Sequence, residues 1–146
     1  DAPLHAVALL RGLERAEAEK LLARASLIKL EKGDLIIRKG DKDDTIYLLL
    51  SGIAEVTLDD PDAPPVAIIG AGDTFGEIGF LTSVPRTANV VASAECEVLV
   101  LSGEFLERFI TSEPAIGAKL LLNLSRELAA RLAVTTERAH AAPPAR

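Results

Sequence analysis

Apolar and polar positions follow three textures along the chain. Residues 1–12 are weakly patterned, and Glu14–Ala25, rich in Ala, Glu, Leu and Lys, reads as a helix. From Leu27 to Leu101, short apolar runs are separated by Gly33-Asp34, Gly40-Asp41, Ser51-Gly52 and Gly72-Asp73. Such spacing marks an all-β barrel or sandwich. Strands are predicted at Leu35–Arg38, Thr45–Leu50, Ile53–Leu58, Val66–Ile69, Thr87–Ala92 and Glu97–Leu101. Ile53–Leu58 alternates, with Ala54, Val56 and Leu58 on one face and Glu55 and Thr57 on the other. Cys96 alternates with Val98 and Val100, which predicts a buried strand position. Pro61, Pro64 and Pro65 mark a hairpin loop.

Helical texture returns after Ser102, a suitable N-cap for a short helix over Gly103–Ile110. Ser112-Glu113-Pro114 opens a longer helix predicted to run to about His140, before Pro143-Pro144. Leu120, Leu124, Leu128 and Leu132 recur every four residues and predict one apolar face. The order helix, β-run, helices is α+β rather than alternating βαβ.

Composition narrows the function. Sixteen basic against 22 acidic residues give a net charge of -6, unsuited to neutralising a nucleic-acid backbone. Aromatics are 3% with no Trp, which leaves few platforms for stacking bases. The longest stretches without a charge, Thr45–Ala54 and Ala63–Gly72, are ten residues each, about half of the ~20 a membrane helix needs. No membrane insertion is expected, no signal peptide is visible, and a cytoplasmic location is expected. The chain starts at Asp1 rather than Met, so it is expected to be processed or cut from something longer. A single cysteine, Cys96, excludes an internal disulfide and argues against a cysteine zinc site. His5 and His140 lie near the termini, and Asp59, Asp60 and Asp62 lack EF-hand spacing. Neither a metal site nor a catalytic set is expected.

The most informative segment runs from Gly70 to Ala88. A dinucleotide fingerprint would need glycine where Phe75 stands, inside a βαβ unit. Gly70-Ala71-Gly72-Asp73-Thr74-Phe75 resembles the anion-hole motif of ribokinase-like sugar kinases, with Asp73 as base. The acidic residue expected before that motif is missing, however, and Pro85 interrupts the helix expected after it. The residues from Phe75 onward suit an anion better. Gly76 and Gly79 permit close backbone approach, and a short helix from about Glu77 would aim N–H groups at a phosphate. Arg86 supplies a planar fork for its oxygens. Glu77 would accept a ribose 2′-hydroxyl, as acidic residues do in dinucleotide sites.

Phe75-Gly76-Glu77-Ile78-Gly79-Phe80-Leu81 followed by Pro85-Arg86-Thr87-Ala88 resembles the phosphate-binding cassette of cyclic nucleotide-binding domains, with Glu77 and Arg86 nine residues apart. The resemblance extends over nearly the whole chain, including Lys32-Gly33-Asp34, Lys39-Gly40-Asp41 and Ile46–Gly52. It implies an eight-stranded antiparallel β-roll, jelly-roll-like, with an N-terminal helix and two C-terminal helices. The domain would span 1–142: helical segment 1–26, β-roll 27–101, C-terminal helices 102–142, then a tail at 143–146. It implies a regulatory sensor for a cyclic mononucleotide, cyclic AMP first and cyclic GMP as the alternative, signalling through the C-terminal helices to a partner or parent protein. A DNA-reading helix-turn-helix would have to lie beyond Arg146.

The ligand-binding residues implied are Phe75, Gly76, Glu77, Ile78, Gly79, Arg86, Thr87 and Ala88, with Thr135 and Thr136 from the long helix. Members that prefer cyclic GMP often carry a hydroxyl at the position of Thr87, but so do many bacterial cyclic AMP binders. Arg131–Arg138 resembles bacterial cyclic AMP receptor proteins, where two adjacent hydroxyl residues reach the adenine amino group, one from each subunit. On that pattern Leu124, Leu128 and Leu132 would pack against a twin in a homodimer through the 115–140 helix. The competing arrangement packs this helix on its own barrel, which Asn123, Ser125 and Arg126, as a polar far side, would suit. Two other readings stay open: a ligand-free dimerisation domain with Glu77 paired to Arg86, and a sugar kinase fragment.

Overall fold

The computed structural model describes residues 7–60 and 62–141, the last seven of these as backbone only. Val7, Leu9 and Leu10 are buried around a 3-10 turn at Ala8–Leu10, in a stretch whose sequence shows little pattern. Helix α1 is Arg15–Leu22, shorter than the composition predicts. A reciprocal capping box between Glu14 and Glu17 starts it.

Eight strands follow among the described residues: β1 (Ser26–Leu30), β2 (Leu35–Ile37), β3 (Ile46–Ser51), β4 (Ala54–Thr57), β5 (Ala67–Ile69), β6 (Thr74–Phe75), β7 (Asn89–Ala92) and β8 (Cys96–Leu101). Helix α2 (Glu77–Thr82) lies between β6 and β7, and α3 (Gly103–Ser112) and α4 (Pro114–Ala141) close the chain. All strand pairs are antiparallel, in two sheets ordered β1-β8-β3-β6 and β2-β7-β4-β5. This is the expected α+β fold. The patterning misses β1 and β6, and its strand over Thr87–Ala92 starts two residues late, at Asn89.

Two apolar clusters hold the fold, and β3 belongs to both. Ile46 and Leu48 point toward the helices, joining Leu9, Leu21, Leu106 and Leu120. Tyr47 and Leu49 point between the sheets, joining Phe75, Val90, Cys96 and Val98. Both faces of β3 are therefore buried, which is why its sequence is an unbroken apolar run. Ser102 caps α3 as predicted, its Oγ accepting from the Phe105 N–H at 3.0 Å.

The leucine stripe of α4 does not act as one face. Leu120 and Leu124 are fully buried in their own chain's core, Leu128 is half-buried and Leu132 is 67% exposed. A row at every fourth residue drifts by about 40° per step on a 3.6-residue helix, so Leu132 has left the face that Leu120 occupies. Leu124 is thereby unavailable to a twin. Asn123 is also not on a solvated side. It is buried, and its amide donates to Leu9 O at 2.7 Å and Arg11 O at 2.8 Å, tying α4 to the N-terminal turn.

Candidate functional site

Strand β6 lies at the edge of its sheet, registered against β3 with Tyr47 opposite Phe75. The Phe75 ring stacks on Tyr47 with centroids 5.0 Å apart and serves the core. Gly76 then turns the chain into α2 with φ at 85°, a left-handed conformation that glycine adopts freely. A Cβ there would meet Thr45 O at 2.6 Å, and a Cβ on Gly79 would meet both Arg86 Nη1 and Asp43 O at 2.7 Å. The two glycines thus make room for Arg86 and for the Thr45 and Asp43 carbonyls.

Arg86 is anchored at its backbone by the Gly40-Asp41 turn. Its N–H donates to Asp41 O at 2.8 Å, and its carbonyl accepts from Gly40 N at 2.7 Å. The side chain is buried; Nη1 donates to Gly76 O and Nη2 to Thr45 O, both at 2.7 Å. Asp43 Oδ2 lies 3.4 Å from Nη2. Burial pushes the Asp43 carboxyl up, but hydrogen bonds from Thr45 and the Arg86 charge outweigh it and hold the group below its usual range.

Glu77 is 2% exposed, and its partner is not Arg86. Arg131, reaching across from α4, donates to Glu77 Oε1 and to Thr74 O. Glu127, one turn earlier on α4, has Oε2 3.7 Å from Arg131 Nη2. Burial raises the Glu77 carboxyl above its usual range, against the pull of Arg131 and, more weakly, Arg86. Glu77 Oε2, Arg86 Nε, Glu127 Oε1 and Thr74 Oγ1 are buried with no hydrogen bond of good geometry among the described residues.

Glu77, Arg86, Glu127 and Arg131 border a cleft of about 920 Å³ between the cassette, the β4–β5 face and α4. Of the residues expected at the site, Phe75, Gly76, Glu77, Ile78, Gly79, Arg86, Thr87 and Ala88 all line it. Ile78 and Thr87 are exposed and Ala88 half-buried. Ile37, Val56, Ile68 and Val90 give the cleft an apolar wall. The side chains of Thr135 and Thr136 lie outside the described residues, as do His5 and the side chain of His140.

The sugar-kinase reading fails on this geometry. Asp73 is a turn residue: its carboxylate accepts the Gly70 N–H at 2.8 Å, and a two-residue strand, not a long helix, follows the glycines. The ion pair imagined for a ligand-free domain, Glu77 with Arg86, is replaced by Glu77 with Arg131. Arg131, Glu127 and Asp43 escape the sequence reading. Glu127 and Arg131 look like a solvated i,i+4 pair, and the one signal for Arg131 was its place in the stretch that resembles cyclic AMP receptor proteins.

Residues 27–113 match the family model described as "Cyclic nucleotide-binding domain". The chain belongs to that family. It is 36% identical over 110 residues to a cAMP-dependent protein kinase regulatory subunit of Emericella nidulans, an alignment covering 75% of this chain and 26% of the relative. It is 33% identical over 126 residues to glutaminase 1 of Bradyrhizobium diazoefficiens, covering 86% of this chain and 20% of that one. The chain therefore spans about a quarter or less of these relatives. Among solved structures, a cyclic nucleotide-binding domain from Methylobacillus flagellatus superposes with a TM-score of 0.87 at 26% identity, covering 98% of this chain and 83% of that one. Among the described residues, no helix is long and apolar enough to cross a membrane.

Proposed function

We propose that the cleft binds cyclic AMP and that α4 carries the signal to the rest of a larger protein, the domain acting as a sensor rather than a catalyst. One observation carries the reading. Glu77 and Arg86 both line the cleft, and each keeps one buried polar atom without a good partner: an acceptor on Glu77 and a donor on Arg86. A buried group left in that condition costs about 1–3 kcal/mol. A ribose 2′-hydroxyl would satisfy Glu77 Oε2, and a phosphate oxygen would satisfy Arg86 Nε. Glu77 Oε1 would meanwhile keep Arg131, so the ligand and α4 would meet at one carboxylate. That is the differential contact a signal needs. The apolar wall suits a base, and the related kinase regulatory subunit is by name cAMP-dependent.

Leu132 and Val134 are exposed, which leaves the C-terminal half of α4 for a second copy of the chain. In that arrangement Thr135 and Thr136 would approach the bases. The test is calorimetric titration with cyclic AMP and cyclic GMP, with light scattering on the same samples. Saturable binding, tighter for cyclic AMP, and a mass near twice 15.4 kDa are expected. Equal affinities would remove the adenine preference, and a mass near 15.4 kDa would remove the dimer.

A further inference from the structure

The ligand-free site buries two carboxylates around one arginine of α4. Two carboxylates, Glu77 at 2% and Glu127 at 13% side-chain exposure, flank the single guanidinium of Arg131. Arg131 bonds Glu77 and stands 3.7 Å from Glu127, so the second carboxylate is the poorly matched one. Each carboxylate has one buried oxygen without a good donor. Of the groups packed toward Glu127, Asp73 before β6 and Glu77 at the start of α2 oppose its charge, while Thr74 in β6 and Arg131 on its own helix favour it. Arg11 and Arg126 line the same cleft, and the Arg86 guanidinium is already shared with Asp43. A cyclic phosphate brings one more negative charge into this space.

We propose that Glu127 is the proton-accepting residue of the ligand site, taking up a proton when an anionic cyclic nucleotide enters the cleft and so making affinity depend on pH. The proposal rests on the reading that this cleft binds such a ligand. Two carboxylates sharing one site titrate apart, and the worse-paired one is the one that neutralises. Burial already pushes the Glu127 carboxyl up, against the neighbouring Thr74 hydroxyl and Arg131. An added anion raises it further in the bound state. The sign follows: between the free and bound pKa values the complex holds more protons than its parts, so affinity rises as pH falls through that window and levels off below it. Glu77 must stay ionised for its role, so its protonation limits the gain at lower pH.

The experiment is titration of the whole chain with cyclic AMP from pH 5.5 to 8, in pairs of buffers that differ in ionisation enthalpy. Wild type is expected to take up a fraction of a proton per ligand, with affinity rising by no more than about tenfold per pH unit of acidification. Glu127→Gln, an uncharged isostere, is expected to take up none and to bind more tightly than wild type at pH 8. Carboxyl ¹³C titration of the wild-type Glu127 side chain, free and saturated, gives a second reading that needs no variant; its midpoint should move up with ligand. Binding without proton uptake, uptake that persists in Glu127→Gln, or an unmoved midpoint would overturn the assignment to Glu127. No binding of cyclic AMP or cyclic GMP at any pH would overturn the underlying reading, and the proposal with it.

Discussion

Arg86→Ala is expected to reduce cyclic nucleotide affinity by roughly 30- to several-thousand-fold. That range corresponds to the loss of about 2–5 kcal/mol when one partner of a buried charge pair is removed. The structure adds a second consequence that the sequence did not show. Arg86 also holds the scaffold together. Its guanidinium ties the Gly76 turn to the Thr45 backbone through two 2.7 Å hydrogen bonds and stands beside Asp43. Truncation leaves two carbonyls without that donor and Asp43 without its cation. Each abandoned group costs about 1–3 kcal/mol if water does not replace the arginine. Thermal unfolding of the ligand-free variant should therefore show a lowered midpoint alongside the lost affinity. Affinity unchanged within twofold would remove the cassette assignment. Lost affinity with an unchanged midpoint would mean that the carbonyls are readily hydrated.

Glu77→Gln is expected to weaken the ribonucleotide by roughly tenfold to 150-fold. This is the scale of about 1.5–3 kcal/mol for a hydrogen bond to a charged group. The 2′-deoxy analogue, which lacks the hydroxyl, should lose much less. Parallel titrations of the two ligands against both proteins isolate the hydroxyl contribution. Equal weakening of both would give Glu77 another task, holding Arg131 and hence α4 over the cleft, since Arg131 donates to Glu77 and to Thr74 O.

Much of the scaffold was legible because its signals are local. The apolar run of β3, the Ser102 cap and the glycine turns each declare themselves within a few residues. Strand β6 did not, because two residues inside a glycine-rich stretch have no period to read. The stripe on α4 was misread for a geometric reason: an i+4 row spirals around the helix, so Leu120 and Leu124 join the core while Leu132 faces solvent. Asn123 falls three residues after Leu120 and so shares its buried side. Within the cassette, residue type and spacing suffice to bring Gly76, Glu77, Gly79 and Arg86 together. The partner of Glu77 was hidden because Arg131 lies 54 residues away, and only the docking of α4 brings the two together.

The central claim is that Arg86 meets the phosphate of a cyclic nucleotide. The Nε–H of Arg86 reports on it directly, because this donor is buried without a good partner in the ligand-free protein. Its ¹H–¹⁵N resonance should move downfield as cyclic AMP saturates the protein, and should stay in place with adenosine, which has the base and ribose but no phosphate. A resonance that stays in place while cyclic AMP saturates the cleft would contradict the account.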